Sequence, residues 1–85
     1  MAYTVLVMPS AARSLERLPG SVFARLDACI KSLSSNPRPF GVKKLAGKGN
    51  TYRVRVGNYR ILYEINDSEL TVLVTRIGHR GDVYD

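Results

Sequence analysis

The 85-residue chain has no tryptophan, one cysteine, one histidine and only 7 acidic residues against 13 lysines and arginines. Each shortage excludes something. Cys29 alone forms no intrachain disulfide, and no cysteine-based metal site can be assembled around it. It falls within a helical apolar pattern and reads as a buried structural thiol. No cluster of Asp, Glu and His suggests a metal, so two-metal hydrolysis is not expected and no cofactor is implied. No stretch approaches the roughly 18 apolar residues of a membrane-spanning helix. The start, MAYTVLVMPS, has neither a basic leader nor a long apolar run, unlike a signal peptide. The expected compartment is the cytoplasm, with no membrane partner.

What is present fits one small domain, residues 1–85, near the lower size limit for a chain that buries its own core. A 45% hydrophobic content separates it from disordered tails, and 24% charged residues is ordinary for a globular domain. The formal charge of +6 suits an anionic partner. Charge alone does not choose among nucleic acid, an acidic protein and a membrane surface.

Along the chain, Tyr3 to Met8 (YTVLVM) is β-branched, aromatic and apolar, and reads as a first strand closed by Pro9. Ser10 is placed to cap a short helix through about Leu18, with Ala11, Leu15 and Leu18 at helical spacing. Pro19-Gly20 ends it, and Ser21 is placed to cap a second helix from Val22 to about Ser34. Phe23, Leu26, Ile30 and Leu33 form its apolar stripe, widened by Val22 and Cys29. Neither helix is long enough to be stable alone, so both stripes need a common sheet. NPRPF at 36–40 stops the helix. The basic, glycine-rich stretch 41–50 carries Lys43, Lys44 and Lys48, with a short extended piece around Val42 to Leu45. It lacks the pattern of a phosphate-binding P-loop. It is either a solvated loop or a mobile basic one near an anion.

The most informative stretch is TYRVRVGNYRILYEI, Thr51 to Ile65. With Gly57-Asn58 as a two-residue loop, Val56 faces Tyr59, Arg55 faces Arg60, Val54 faces Ile61, Arg53 faces Leu62 and Tyr52 faces Tyr63. Tyr52, Val54, Val56, Tyr59, Ile61 and Tyr63 then share an apolar face for the helices. Arg53, Arg55, Arg60, Leu62 and Glu64 share the other. Like charges directly opposite cost a few tenths to about 1 kcal/mol. A bound phosphate would more than offset this, because guanidinium matches phosphate oxygens bidentately. The alternative is an ordinary solvated strand face. Asn66, Asp67 and Ser68 mark the next turn, and Leu70 to Ile77 reads as a central strand. Strict alternation places Leu70, Val72 and Val74 on the core face and Leu73 and Thr75 on the arginine face. Leu62 and Leu73 would then form an apolar spot beside the basic one, open to a partner or covered by the chain's own loop or tail. The closing GHRGDVYD carries His79, Arg80 and Tyr84. His79 is a candidate for titration near neutrality or a plain loop donor.

In this combination of strand, two helices, YRVRVGNYRILYEI, a further strand and RIGHRGDVY, the chain resembles the RelE/ParE superfamily of bacterial toxins over nearly its whole length. The resemblance implies an α+β fold, β-α-α-β-β-β, with two N-terminal helices on one face of a small, twisted, mostly antiparallel sheet. It implies the toxin of a type II toxin–antitoxin system that represses translation. RelE-like members enter the A site of the 70S ribosome, beside 16S rRNA, and cut mRNA without a metal. A ribose 2′-hydroxyl attacks the adjacent phosphate, leaving a 2′,3′-cyclic phosphate and a 5′-hydroxyl. By motif match the catalytic set falls on Arg55, Arg60, Arg80 and Tyr84. RNA contacts are expected at Arg53 and Arg55 by the same match, and at Lys43, Lys44, Lys48 and His79 from the basic loop and tail themselves. A cognate antitoxin is implied, and the face assignment offers Leu62 and Leu73 as an apolar foothold for it. Arg53 and Arg55 stand where the well-known enterobacterial member has lysines, and arginine almost never gives up a proton. These two can hold a phosphate but are poor bases. The same superfamily includes inhibitors of DNA gyrase, and an inactive copy that only binds antitoxin is the remaining alternative.

Overall fold

The computed structural model describes residues 2–47 and 49–79. Among these run β1 (Thr4–Val7), α1 (Pro9–Glu16), α2 (Gly20–Ser32), β2 (Lys43–Lys44), β3 (Thr51–Val56), β4 (Tyr59–Asn66) and β5 (Thr71–His79). The strands form one five-stranded sheet in the order β1-β5-β4-β3-β2. β1 runs parallel to β5, and every other pair is antiparallel. This is the expected α+β architecture, with the extended piece near Val42 realised as β2. No helix among the described residues is long and apolar enough to cross a membrane.

The helices start differently from expectation. Pro9 does not merely end the strand; it is the first residue of α1, where its fixed φ suits the helix and its missing N–H costs nothing. Met8 is therefore the cap, and the Ser10 carbonyl accepts a hydrogen bond from Ser14 Oγ at 3.1 Å. Likewise Pro19 precedes α2, and Ser21 lies inside its first turn. Neither helix has a side-chain cap, so each is held by packing. The buried side of α2 is Val22, Leu26, Cys29 and Ile30, continued by Leu33 just past its end, while Phe23 sits at the stripe's margin and stays 36% exposed.

Both helices meet the same sheet face, where the core gathers Ala11, Leu15, Leu26, Ile30, Leu33, Tyr52, Val54, Ile61, Tyr63, Ile65, Val72, Val74 and Ile77. Tyr63 is fully buried, and its hydroxyl donates to the Pro37 carbonyl at 2.8 Å, so no polar group is stranded. Burial pushes its phenol pKa well up, and does the same to the half-buried Cys29 thiol. A thiol kept protonated in this way is inert, as a structural cysteine should be.

The end of the sheet away from the β3–β4 turn is tied by Arg38. Its guanidinium donates to both Asp67 carboxylate oxygens, at 3.2 and 2.9 Å, and to the Tyr52 hydroxyl. Tyr3 donates its hydroxyl to Asp67 at 2.7 Å. Three separate segments (the start of β1, the α2–β2 loop and the β4–β5 turn) therefore converge on one carboxylate. The same turn ends in Leu70 at φ 54°, a conformation a leucine adopts at a cost; its carbonyl accepts from the Thr4 N–H at 2.8 Å. Leu70 thus closes the turn and does not begin the strand, as its apolar character had suggested.

Two outcomes follow. Leu26→Ala, emptying a fully buried site, lowers unfolding free energy by about 2–5 kcal/mol in urea titration. The hydrogen bonds from Arg38, then Tyr3, hold the Asp67 pKa below the usual carboxylate range. A depressed folded-state pKa gives stability that is complete above the unfolded pKa, about 4, and is lost as pH falls through the folded value. Asp67→Asn therefore lowers the melting temperature at neutral pH, and the gap to the parent closes below about pH 4. A gap that stays constant from pH 2 to 7 would contradict this.

Candidate nucleic-acid interface

The β3–β4 hairpin pairs as its sequence indicates: Tyr52 with Tyr63, Arg53 with Leu62, Val54 with Ile61, Arg55 with Arg60 and Val56 with Tyr59. Gly57 has φ 60° and Asn58 does not share the positive sign, the pattern of a II′ turn with glycine at its first central position. A Cβ on Gly57 would also sit tightly, 3.1 Å from the Arg25 guanidinium of α2, which would have to shift by a few tenths of an ångström.

The register divides the hairpin. Tyr52, Val54, Ile61 and Tyr63 go to the helices, leaving Arg53, Arg55, Arg60, Leu62 and Glu64 on the outer face. The outer face is not uniform. Arg55 is exposed and Arg60 half-buried, whereas Arg53 is only 6% exposed. Arg53, expected as an RNA contact, is thus nearly buried within that face. Leu62 is likewise no open foothold. It packs against Leu45, from the segment after β2, and the two form a small second core. The apolar spot expected at Leu62 and Leu73 is thus half covered by the chain itself, leaving Leu73 beside its β1 neighbour Leu6, which is 51% exposed.

The lysines separate as well. Lys43 pairs with Arg53 and belongs to the outer face, while Lys44 pairs with Tyr52 and belongs to the helix side, though both are exposed. His79 pairs with Tyr59, its ring edge-on at 5.2 Å, and so shares the helix side and not the arginine face. Lys48, Arg80 and Tyr84 lie outside the described residues.

One outer-face arginine escaped sequence reading. Between Leu62 and Tyr63 the β4–β5 register shifts, so that Tyr63 pairs with Val74 but Leu62 pairs with Arg76. Thr75 is the extra residue, and its hydroxyl donates to the Leu62 carbonyl at 3.2 Å. The shift returns Ile77 to the core, opposite Ile61, and places Arg76 outside. Strict alternation would have buried Arg76 and exposed Ile77. That conflict was the available signal.

Arg55 and Arg60 face each other directly, with Cβ atoms about 4.5–5.5 Å apart. Among the described residues, Arg55 makes no side-chain hydrogen bond or ion pair. Such a pair binds an anion with several oxygens better than it binds a single carboxylate. Glu64, two pairs further along β4, marks where the positive character ends. No group of three or more His, Cys, Asp or Glu among the described residues could hold a metal ion.

Known proteins share this sequence pattern and fold. Residues 5–84 match the family described as the ParE toxin of the type II toxin–antitoxin system. The chain is 35% identical over 85 residues to Toxin RelG of Mycobacterium tuberculosis, covering 99% of this chain and 98% of that protein. It is 36% identical to Toxin RelE3 of Methanocaldococcus jannaschii, covering 95% and 94% of the two. The RelE–RelB complex of Pyrococcus horikoshii supplies a chain that superposes with a TM-score of 0.85 at 30% identity, covering 98% of this chain and all of that one.

The two hairpin arginines respond oppositely to truncation. Arg55→Thr raises unfolding free energy at low salt by a few tenths to about 1 kcal/mol, and the gain shrinks as salt screens the repulsion. Arg53→Ala lowers it by about 1–3 kcal/mol, because a buried stem and its charged head are lost together. Denaturant titrations at two salt concentrations read both.

Proposed function

Because the chain belongs to the RelE/ParE superfamily, on its RelE-like side, and is a type II toxin, we propose that it is a ribosome-dependent endoribonuclease that cuts mRNA in the A site. The observation that carries this reading is the pairing of Arg55 with Arg60 on a face that the helices leave uncovered. In the reaction, the 2′-oxygen bonds to the adjacent phosphorus, the bond from phosphorus to the 5′-oxygen breaks, and the 2′-hydroxyl proton is given up while the leaving oxygen gains one. A 2′,3′-cyclic phosphate and a 5′-hydroxyl result. Negative charge builds on the nonbridging and leaving oxygens, and fixed guanidinium groups stabilise it without reorganising. Arg60, half-buried and held in β4, is suited to that task. Arg55 and Lys43 hold the mRNA backbone. Arg80 and Tyr84 complete the set on their motif match, Arg80 for charge and Tyr84 for its phenol.

The Pyrococcus relative is seen with RelB. A cognate antitoxin is proposed for this chain too, seated on Leu73 and Leu6 beside the basic face. Inhibition of gyrase is the second reading, since the matching family carries the ParE description. It requires no RNA chemistry and would leave broken DNA.

Purified protein added to translating ribosomes is expected to cut mRNA within codons, mapped by primer extension. Arg60→Ala reduces the cleavage rate by about 10²–10³-fold while the melting temperature stays near the parent's. Tyr84→Phe separates a proton-transfer role, which is lost, from a stacking role, which is kept. Intact mRNA after incubation with folded parent protein would end the reading.

A further inference from the structure

We propose that Arg76 is a further RNA-binding residue that holds a phosphate next to the one being cleaved; this rests on the endoribonuclease reading above. Arg60 pairs with Gly78, and Arg76 lies two residues back along β5 on the same outer face. Arg60 and Arg76 are thus diagonal neighbours about 7–8 Å apart at the backbone. That separation is comparable with one nucleotide step of an extended single strand. Gly78 adds no side chain on the face beside Arg60, so the path between the two guanidinium groups is unobstructed from β5. Arg55, Arg60 and Arg76 lie on three adjacent strands, with Arg55 directly opposite Arg60 and Arg76 offset by two residues along β5.

The local structure turns Arg76 to the outer face. It is exposed, and among the described residues its side chain makes no hydrogen bond or ion pair. The register shift that turns it outward is held by the Thr75 hydroxyl on Leu62 and by Ile77 in the core. The position therefore does not depend on Arg76 itself. Glu64 lies beyond Leu62 on β4, facing Leu73, so a polyanion crossing the face is steered toward the Arg60 end. A phosphate beside the scissile one keeps the same charge in ground and transition states. Its holder contributes to binding more than to the chemical step.

The test compares parent, Arg76→Ala, Arg76→Lys and Arg17→Ala on programmed ribosomes. Arg17→Ala removes one exposed charge on the helix side of the molecule. Cleavage kinetics are read together with affinity for ribosomes whose A-site codon carries a 2′-O-methyl group at the scissile position. Arg76→Ala is expected to raise KM and the dissociation constant by about fivefold to tenfold, with kcat within about twofold. Its dependence of log affinity on log salt becomes shallower by about 1. Arg76→Lys recovers most of the loss, and Arg17→Ala leaves KM alone. Should the parent cut while Arg76→Ala keeps parental KM, affinity and salt slope, the inference is wrong and the endoribonuclease reading survives. An Arg76→Ala protein that cuts normally but resists neutralisation by antitoxin would assign Arg76 to the protein partner instead, and equally overturn it. A folded parent that cuts nothing overturns both.

Discussion

Two short helices cover only one face of a five-stranded sheet, and most of the structure follows from that imbalance. The covered face must be apolar, because α1 and α2 have no stability of their own and bury their stripes there. Strand side chains alternate with a period of two, so every residue spent on the core sends its neighbours to the other face. Tyr52, Val54, Ile61 and Tyr63 inside put Arg53, Arg55, Arg60 and Leu62 outside. The basic surface is thus the reverse side of the core.

That reverse side still needs support. Leu45 folds over Leu62, and Arg53 sinks to near-complete burial beside them. The outcome is graded, with a buried guanidinium beneath, a half-buried one in Arg60 and exposed ones in Arg55 and Arg76. Such a gradient suits charge stabilisation in catalysis. A group held by its surroundings is preorganised, and one at the rim is free to capture a flexible strand. The opposite end of the sheet is tied through Arg38, Asp67 and Tyr3. Repulsion between Arg55 and Arg60 is tolerable because the rest of the sheet is secured elsewhere.

Membership of a toxin family gives this arrangement its meaning, yet the chain departs from the lysine-bearing member at Arg53 and Arg55. Arginines here bind and stabilise but do not accept protons. In the proposed reaction, proton transfer would accordingly fall to residues outside β3. His79 is a weaker candidate than its place in the sequence suggested, because it shares the helix side with Tyr59.

The hairpin register was legible in the linear chain because two constraints agreed: a two-residue turn at Gly57-Asn58 and an unbroken alternation on either side. The helices were legible from their apolar spacing, though not their first residues, since Met8 and Pro19 stand at the cap positions expected for Ser10 and Ser21. Local chemistry sufficed wherever a pattern involved residues close along the chain. The tertiary structure alone decided three things: the phase slip at Thr75 that exposes Arg76, the burial of Arg53, and the covering of Leu62 by Leu45. Each depends on which distant segment arrives next to which strand. A period of two says that neighbours face opposite ways, but only the assembled core says where that alternation must skip a residue.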